Sequence, residues 1–169
     1  MYSQNSYSAA AVALAEEYSQ WRPQNVTRAS EARTRLMIVS PFDDDLVSLL
    51  EILSHTSWAI YWWTNCEDAM AMLRSNIVPV VLCERYLPDG SWQSLLARVN
   101  SLSEQPQFII TAQLVDESLW AEALSLGAYD VLAKPFDAAE VVRVIGFACR
   151  FWHRRLPRKA LNAKLAKDA

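Results

Sequence analysis

Between residues 35 and 152, the hydrophobic residues of the chain follow two alternating patterns. Short continuous apolar runs, of which residues 36–39 (LMIV) are the first, have the length and β-branched content of strands that are buried on both faces. Each run is followed by a stretch whose apolar residues recur every three or four positions, as on one face of an amphipathic helix. The alternation predicts five strands, at 36–39, 58–63, 78–83, 108–111 and 129–133, and five helices, at 43–53, 65–73, 90–99, 117–126 and 138–152.

Regular alternation of strand and helix favours one fold class. A strand followed by a helix and a second parallel strand forms a right-handed crossover, and several such units build a parallel sheet with helices on both faces. We therefore predict an α/β domain over residues 35–152, a three-layer, doubly wound, five-stranded parallel sheet of the flavodoxin-like type. In such a sheet the functional crevice lies at the carboxyl ends of the strands, which directs attention to residues 40–45, 84–90, 111–113 and 134–135.

The segments on either side of this domain differ from it in composition. Residues 1–34 are polar and then Ala-rich, without the regular apolar period of the domain, so we expect a partly disordered extension. Residues 153–169 form a basic tail: from Arg150 onward, seven Lys or Arg stand against one Asp, a balance of +6 in a chain whose net charge is −3. The tail is a solvated continuation of the last helix, a partner-binding helix, or an attachment point for nucleic acid or anionic lipid.

Composition argues against several classes of function. No apolar run approaches the ~20 residues that cross a bilayer, and the 3 glycines are too few for a glycine-rich phosphate loop. The three cysteines are far apart, and we expect neither histidine to pair with a cysteine or a carboxylate cluster. We therefore predict no zinc site and no Cys/His nucleophile pair. We expect a cytoplasmic protein with reduced cysteines and without enzymatic activity.

Four short motifs lie at the strand ends that line the predicted crevice. They are Leu87-Pro88-Asp89-Gly90 after the third strand, Thr111-Ala112 at the end of the fourth, Gly127-Ala128-Tyr129-Asp130 before the fifth, and Lys134-Pro135-Phe136 after it. In this order they resemble the receiver domain of two-component response regulators, and the resemblance covers roughly residues 35–152. It implies a place in phosphorelay signal transduction, in which a histidine kinase transfers a phosphoryl group to an aspartate at the end of the third strand.

The resemblance also implies which residues stand at the phosphorylation site, and several depart from the family's pattern. Glu84 takes the place of the acceptor aspartate, and Pro41 and Phe42 take the place of the acidic pair that helps to hold Mg2+. Glutamate is one methylene longer than aspartate, and a misplacement of about 1 Å can lower a rate about a hundredfold. We therefore expect that Mg2+ binding is lost, that no cofactor is used and that ordinary phosphorylation does not occur. Thr111 and Lys134, which contact the phosphoryl group in the family, are retained.

Three positions leave alternatives open. Asp43 is a substitute acid if the first strand is shorter than predicted, or one of three carboxylates that favour the N-terminus of the first helix. Glu84 either mimics a phosphorylated aspartate or pairs with Lys134, which would otherwise be a costly, partly buried cation without a partner. We expect the pair, and, as in the family, a cis peptide bond between Lys134 and Pro135. Val131 stands where the family has an aromatic residue that changes rotamer on activation.

We interpret the sequence as a stand-alone degenerate receiver, or pseudo-receiver, that binds a signalling protein or a histidine kinase independently of phosphorylation. Its fourth helix, fifth strand and fifth helix are the expected contact surface, and a homodimer is left open. One alternative is a phosphoacceptor switch that uses Glu84 or Asp43. A second alternative is a nucleic-acid or membrane-surface binder that acts through the basic tail, although we expect nucleic acid not to be the partner.

Overall fold

The computed structural model describes residues 34–155 of the protein. Its main sheet consists of β1 Thr34–Val39, β2 Trp58–Trp63, β3 Val80–Glu84, β4 Gln107–Ala112 and β5 Asp130–Ala133. The helices that alternate with these strands are α1 Asp43–Leu53, α2 Cys66–Ser75, α3 Trp92–Asn100, α4 Glu117–Ser125 and α5 Ala138–Arg155. The predicted extension, apart from its last residue, and residues 156–169 of the predicted tail lie outside the described residues. α5 continues three residues into that predicted tail.

The five strands are parallel and lie in the order β2-β1-β3-β4-β5. Residues of α1 and α5 belong to the core on one face of the sheet, and residues of α2, α3 and α4 to the core on the other. This is the doubly wound order of flavodoxin-like folds, so the predicted fold class is confirmed. Since the strand order reverses between β1 and β3, the crevice is expected at the carboxyl ends of these strands.

The core occupies both sides of the sheet, which explains why the strand sequences are continuously apolar. Leu36 and Ile38 belong to the cluster with α1 and α5, whereas Met37 and Val39 belong to the cluster with the other three helices. All four residues are at most 1% exposed. Successive side chains of a strand point to opposite faces, so a strand covered on both faces needs an apolar residue at every position.

The structure contains one element that the apolar pattern did not predict. Tyr86–Leu87 and Gly90–Ser91 form a short antiparallel hairpin, so that α3 begins at Trp92, two residues later than expected. The Ser91 hydroxyl accepts a hydrogen bond from the backbone N–H of Ser94 at 3.1 Å and caps this helix. Two-residue strands are too short to produce a hydrophobic period, and for this reason the sequence pattern merged the hairpin with the helix.

The end of α4 agrees with its prediction. Gly127 follows the helix with a φ of 97°, a left-handed conformation that glycine adopts without strain. The backbone N–H of Ala128 donates to the carbonyl of Ala123 at 2.9 Å, so the chain closes the helix as it turns toward β5. The helix ends at Ser125, one residue before the predicted end at 126.

Asp89, in the turn of the hairpin, connects this turn to the N-terminus of α2. Its Oδ1 accepts a hydrogen bond from the backbone N–H of Cys66 at 2.8 Å, and its Oδ2 accepts one from Glu67 at 3.1 Å. These N–H groups lie in the first turn of the helix, where no carbonyl of the helix can accept from them. Burial opposes the ionisation of Asp89, but its hydrogen bonds, first those from the backbone N–H groups of Cys66 and Glu67, together hold the pKa of the carboxyl below its usual value.

Replacing Asp89 with alanine is expected to lower the free energy of unfolding by about 1 kcal/mol at neutral pH, the usual cost of removing a helix-capping side chain. Because the pKa of Asp89 is lower in the folded state, the contribution of its charge is complete above the unfolded pKa of ~3.9. It is lost as the pH falls through the folded value. Urea denaturation of both proteins should show a stability difference at neutral pH that shrinks as the pH falls below the unfolded pKa of ~3.9. A difference that stays constant with pH would contradict this assignment.

Candidate functional site

Three charged side chains meet at the carboxyl edge of the sheet. Glu84 is the last residue of β3, Lys134 directly follows β5, and Asp45 lies in the first turn of α1. The Lys134 ammonium contacts both carboxylates, Asp45 Oδ2 at 2.7 Å and Glu84 Oε2. Asp45 and Glu84 are only 6% and 3% exposed. Because this ion triad is nearly closed to water, its charges are stabilised mainly by one another.

Both carboxylate oxygens of Glu84 have partners. Oε2 contacts Lys134 and accepts a hydrogen bond from the Thr111 hydroxyl at 3.4 Å. Oε1 accepts a hydrogen bond from the backbone N–H of Tyr86 at 3.3 Å. The pairing of β3 with β4 places Glu84 opposite Thr111, which brings the two side chains to the same edge. The predicted contact between Glu84 and Lys134 is confirmed, and the Lys134–Pro135 peptide bond is cis, as expected.

The acid that reaches the crevice from α1 is Asp45, which the sequence interpretation missed. The Ser40 hydroxyl donates to Asp45 Oδ2 at 2.6 Å, so the same oxygen receives hydrogen bonds from Ser40 and from Lys134. Asp43, the possible substitute acid, is exposed on the first turn of the helix, as expected if it is one of the carboxylates that favour the helix N-terminus. Asp43 was considered because a shorter first strand would bring it back toward the crevice. In the structure β1 ends at Val39, as predicted, and Asp45 reaches the crevice from within α1.

The connection between β1 and α1 supplies a hydroxyl and an aromatic ring rather than carboxylates. Ser40, one residue before the expected pair Pro41 and Phe42, is 1% exposed, and its carbonyl accepts a hydrogen bond from the Trp62 indole N–H at 2.9 Å. Pro41 is partly exposed. Phe42 is about half exposed, and the centroid of its ring lies 5.2 Å from Lys134 Nζ. The ring therefore lies over the ion triad as a partial cover.

Val131 occupies the position at which the resemblance implies a switching aromatic residue. It lies in β5, is buried, and belongs to the core cluster that includes Leu119 and Ala123 of α4. A β-branched side chain has restricted rotation about χ1. At this position β5 therefore has no ring that could move between the interior and the surface, and the role of Val131 as a switch equivalent stays a prediction.

The donor groups of the crevice do not suit Mg2+, the ion that the resemblance implies. Mg2+ requires near-octahedral coordination by oxygen, but the Asp45 and Glu84 oxygens that converge are already in contact with the Lys134 ammonium. Within residues 34–155, no three His, Cys, Asp or Glu side chains are grouped closely enough to hold a metal ion. The loss of Mg2+ binding stays a prediction that titration must test.

The expectation that neither histidine pairs with a cysteine was wrong. Cys149 and His153 lie four residues apart on α5, which places them on one side of the helix, and Cys149 Sγ is 3.4 Å from His153 Nδ1. Burial raises the pKa of the Cys149 thiol to about 11. Burial, together with the nearby Asp89, also raises the pKa of Cys66 to about 11. Neither thiol is therefore ionised at neutral pH, and the Cys149–His153 contact is not an activated nucleophile pair.

The geometry of the crevice and the order of the strands define a class of protein. A 2-1-3-4-5 parallel sheet with an acidic residue, a threonine and a lysine at the carboxyl ends of β3, β4 and β5 is the arrangement of two-component receiver domains. The response regulator receiver domain family matches residues 37–146, and the chain belongs to this family. It is therefore a signal-transduction module.

Two curated relatives show the extent of the similarity. The chain is 33% identical over 122 residues to the swarming motility regulation protein RssB of Serratia marcescens, covering 65% of this chain and 55% of the relative. It is 35% identical over 111 residues to the transcriptional regulatory protein PmrA of Pectobacterium parmentieri, covering 63% and 48%. The chain thus spans about half the length of these relatives.

Solved structures of receiver domains support the same fold. The signal receiver domain of an HD domain-containing protein from Pseudomonas fluorescens Pf-5 has a TM-score of 0.68 at 26% identity and covers 78% of this chain and 99% of that domain. A CheY-like receiver domain protein from Methanospirillum hungatei JF-1 has a TM-score of 0.67 at 18% identity, with coverage of 74% and 100%. The second similarity concerns the fold alone.

No helix in the described range of the chain is both long and apolar enough to cross a membrane. The expected cytoplasmic location stays a prediction.

Proposed function

We propose that this receiver domain is a protein-interaction module whose output does not require phosphorylation, a pseudo-receiver. The observation that supports this most is the Lys134 ammonium, which contacts both Asp45 and Glu84. In the family, the lysine and the threonine contact an incoming phosphoryl group, whereas here Lys134 and Thr111 both contact Glu84. A phosphoryl group would have to displace contacts that the crevice makes within itself.

Phosphoryl transfer to Glu84 meets two further obstacles. The nucleophile must present a carboxylate oxygen to a phosphodonor, but both oxygens of Glu84 are engaged and the residue is 3% exposed. The negative charge of the transferred group is normally neutralised by Mg2+, and the donor set around Lys134 does not suit that ion. Asp43, the other acid in the phosphoacceptor alternative, lies exposed on the surface. We therefore propose that the domain uses neither Mg2+ nor another cofactor and has no enzymatic activity of its own.

Incubation of the protein with a small-molecule phosphodonor and Mg2+ is expected to leave its intact mass unchanged. Titration with Mg2+ alone, followed by the fluorescence of the tryptophans, of which Trp62 lies beside the crevice, is expected to show no saturable change at millimolar concentration. A receiver domain with an aspartate acceptor, treated in parallel, serves as the positive control. A phosphoryl adduct that is lost in Glu84→Gln or in Asp43→Asn would instead establish the phosphoacceptor alternative.

The surface that we propose for partner binding consists of α4, β5 and α5. Within it, Trp120 of α4 and Phe147 and Phe151 of α5 are each about half exposed. Aromatic residues left at a surface are enriched in protein interfaces and frequently dominate their binding energy. We propose a signalling protein, such as a histidine kinase, as the partner. Nucleic-acid or membrane binding depends mainly on residues 156–169, which lie outside the described residues.

A further inference from the structure

An exposed surface, here called the crevice rim, surrounds the closed crevice at the carboxyl edge of the sheet. It combines three exposed apolar side chains with three exposed carboxylates: Phe42, Tyr86, Leu114, Asp43, Asp44 and Asp116. These residues come from the segments that follow β1, β3 and β4, which are neighbours in the sheet. The three segments therefore begin within about 10 Å of one another.

Contacts within the crevice rim join the segments that follow β3 and β4. The Phe42 ring lies against Lys134 Nζ. The Arg85 guanidinium lies over the Tyr86 ring at 5.3 Å and donates a hydrogen bond to the Leu114 carbonyl at 3.3 Å. Tyr86 and Leu114 are the two most exposed large apolar side chains of the described residues, at 67% and 69%. Exposed apolar area of this kind stabilises a complex when another protein covers it.

A second exposed surface, the α5 stripe, also combines apolar and charged side chains, but its charges are positive. It consists of Arg143, Phe147, Arg150, Phe151 and Arg154, which recur at helical spacing and are all exposed. The stripe extends over about 16 Å of the helix. Arg150 lies over the Phe147 ring at 4.5 Å from its centroid.

The arginines of the α5 stripe lack an ion pair of the kind that Arg98 forms. Arg98 forms a two-pronged pair with Glu67, at 2.6 and 3.1 Å. Within residues 34–155, by contrast, Arg143, Arg150 and Arg154 form no ion pair with a carboxylate. On the crevice rim, Asp43 and Asp44 are likewise without an ion-pair partner in this range. Each surface thus has unpaired charges that the other could neutralise.

The two surfaces cannot meet within one molecule. The crevice rim lies on loops at the carboxyl edge, whereas α5 begins at that edge and carries its stripe away from it along the side of the domain. Both surfaces are attached to one continuous sheet, which holds them apart. Contact between them therefore requires two molecules.

We propose that the crevice rim of one copy docks on the α5 stripe of a second copy, head to tail. Carboxylates of the rim would pair with arginines of the stripe, and the apolar residues of both surfaces would lose their exposure together. Because a pair of copies still has one free rim and one free stripe, the contact does not close on itself and extends into open chains. This contact between copies uses α5, which is part of the proposed partner surface. The contact requires neither phosphorylation nor a partner protein.

Sedimentation velocity of the full chain tests this proposal with two variants. The rim variant is Asp43→Lys/Asp44→Lys, and the stripe variant is Phe147→Ala/Arg150→Gln. Wild type is expected to associate with rising concentration, and less so at about 500 mM salt, because surface charges are screened. The association of each variant alone is expected to be weaker than that of wild type by at least about tenfold. An equimolar mixture should form a one-to-one dimer that does not grow, since each variant retains the surface that the other lacks.

Matched controls separate this contact from a general effect of charge. Glu51→Lys and Arg74→Gln change exposed charges outside both surfaces and should associate like wild type. Tyr86→Ser is a second rim variant in case lysines at the start of α1 weaken folding. Wild type that stays monomeric, single variants that associate like wild type, or a mixture that stays monomeric would each overturn the proposal. A failure of the self-association proposal would not change the expected phosphodonor result. The self-association proposal and the proposed phosphorylation-independent function can therefore fail separately.

Discussion

Replacing Lys134 with methionine is expected to lower the free energy of unfolding by about 3–5 kcal/mol, because it leaves two buried carboxylates without their cation. Asp45 Oδ2 and Glu84 Oε2 both contact the Lys134 ammonium. Neither acidic residue is more than 6% exposed, so water compensates little for the lost charge. Methionine keeps much of the length and volume of lysine, and the change therefore reports mainly on the charge. Urea denaturation at neutral pH, followed by tryptophan fluorescence, measures the loss.

Two further proteins make this result interpretable. Arg98→Met removes the cation of the exposed pair with Glu67 and should shift the urea midpoint much less, since surface ion pairs contribute little. The triple variant Asp45→Asn, Glu84→Gln, Lys134→Met should recover most of the lost stability, because it replaces every buried charge with a neutral group. If Lys134→Met were as stable as wild type, the three side chains would not form a buried, mutually dependent triad.

Replacing Glu84 with glutamine is expected to change the affinity for the first identified partner by less than about fivefold, the lower end of ordinary allosteric coupling. A ligand or charge at the crevice can act at a distance only through an element that has two arrangements. Val131 is buried, β-branched and without a ring, so β5 lacks the aromatic side chain that would supply such an element. Calorimetric titration of the partner into wild type and into Glu84→Gln measures the difference.

Trp120→Ala is expected to weaken the same binding by about 2 kcal/mol or more, roughly thirtyfold, as hot-spot residues do. Trp120 is 50% exposed on α4, and its loss should therefore affect binding more than folding. Arg74→Gln, which changes an exposed side chain of α2 outside both the proposed partner surface and the crevice rim, is the control. If Glu84→Gln abolished binding while Trp120→Ala had no effect, Glu84 would be a built-in mimic of the phosphorylated aspartate.

The fold of this protein is determined by short-range features of its sequence. Continuous runs such as 36–39 predict strands with both faces covered, and the helical stripes between them predict the crossovers that make the sheet parallel. The predicted boundaries of strands and helices lie within a few residues of the observed ones, because these elements end where the apolar period ends. Gly127 is such a local signal, since it closes α4 in the structure, whereas the Ser91 cap of α3 was missed together with the hairpin before it.

Part of the crevice was also accessible from the sequence. Glu84, Thr111 and Lys134 stand at the carboxyl ends of β3, β4 and β5, and parallel strands bring these ends to one edge of the sheet. Their contacts with one another could therefore be predicted before any coordinates were known. The contact between Cys149 and His153 was equally accessible from their spacing on one helix, and the interpretation overlooked it.

Only the tertiary structure decided which side chain of α1 completes the crevice. A shorter first strand would have brought Asp43 to the crevice, but Asp45 contacts Lys134 across 89 positions of sequence and accepts a hydrogen bond from Ser40. The same holds for the exposure of Trp120, which depends on how α4 lies against the sheet rather than on its own residues. Periodicity gives the side of a helix that is buried, whereas the direction from which a distant cation approaches is set by the packing of the whole domain. Local structure and topology were therefore determined by the sequence pattern, and the third member of the ion triad by the folded chain.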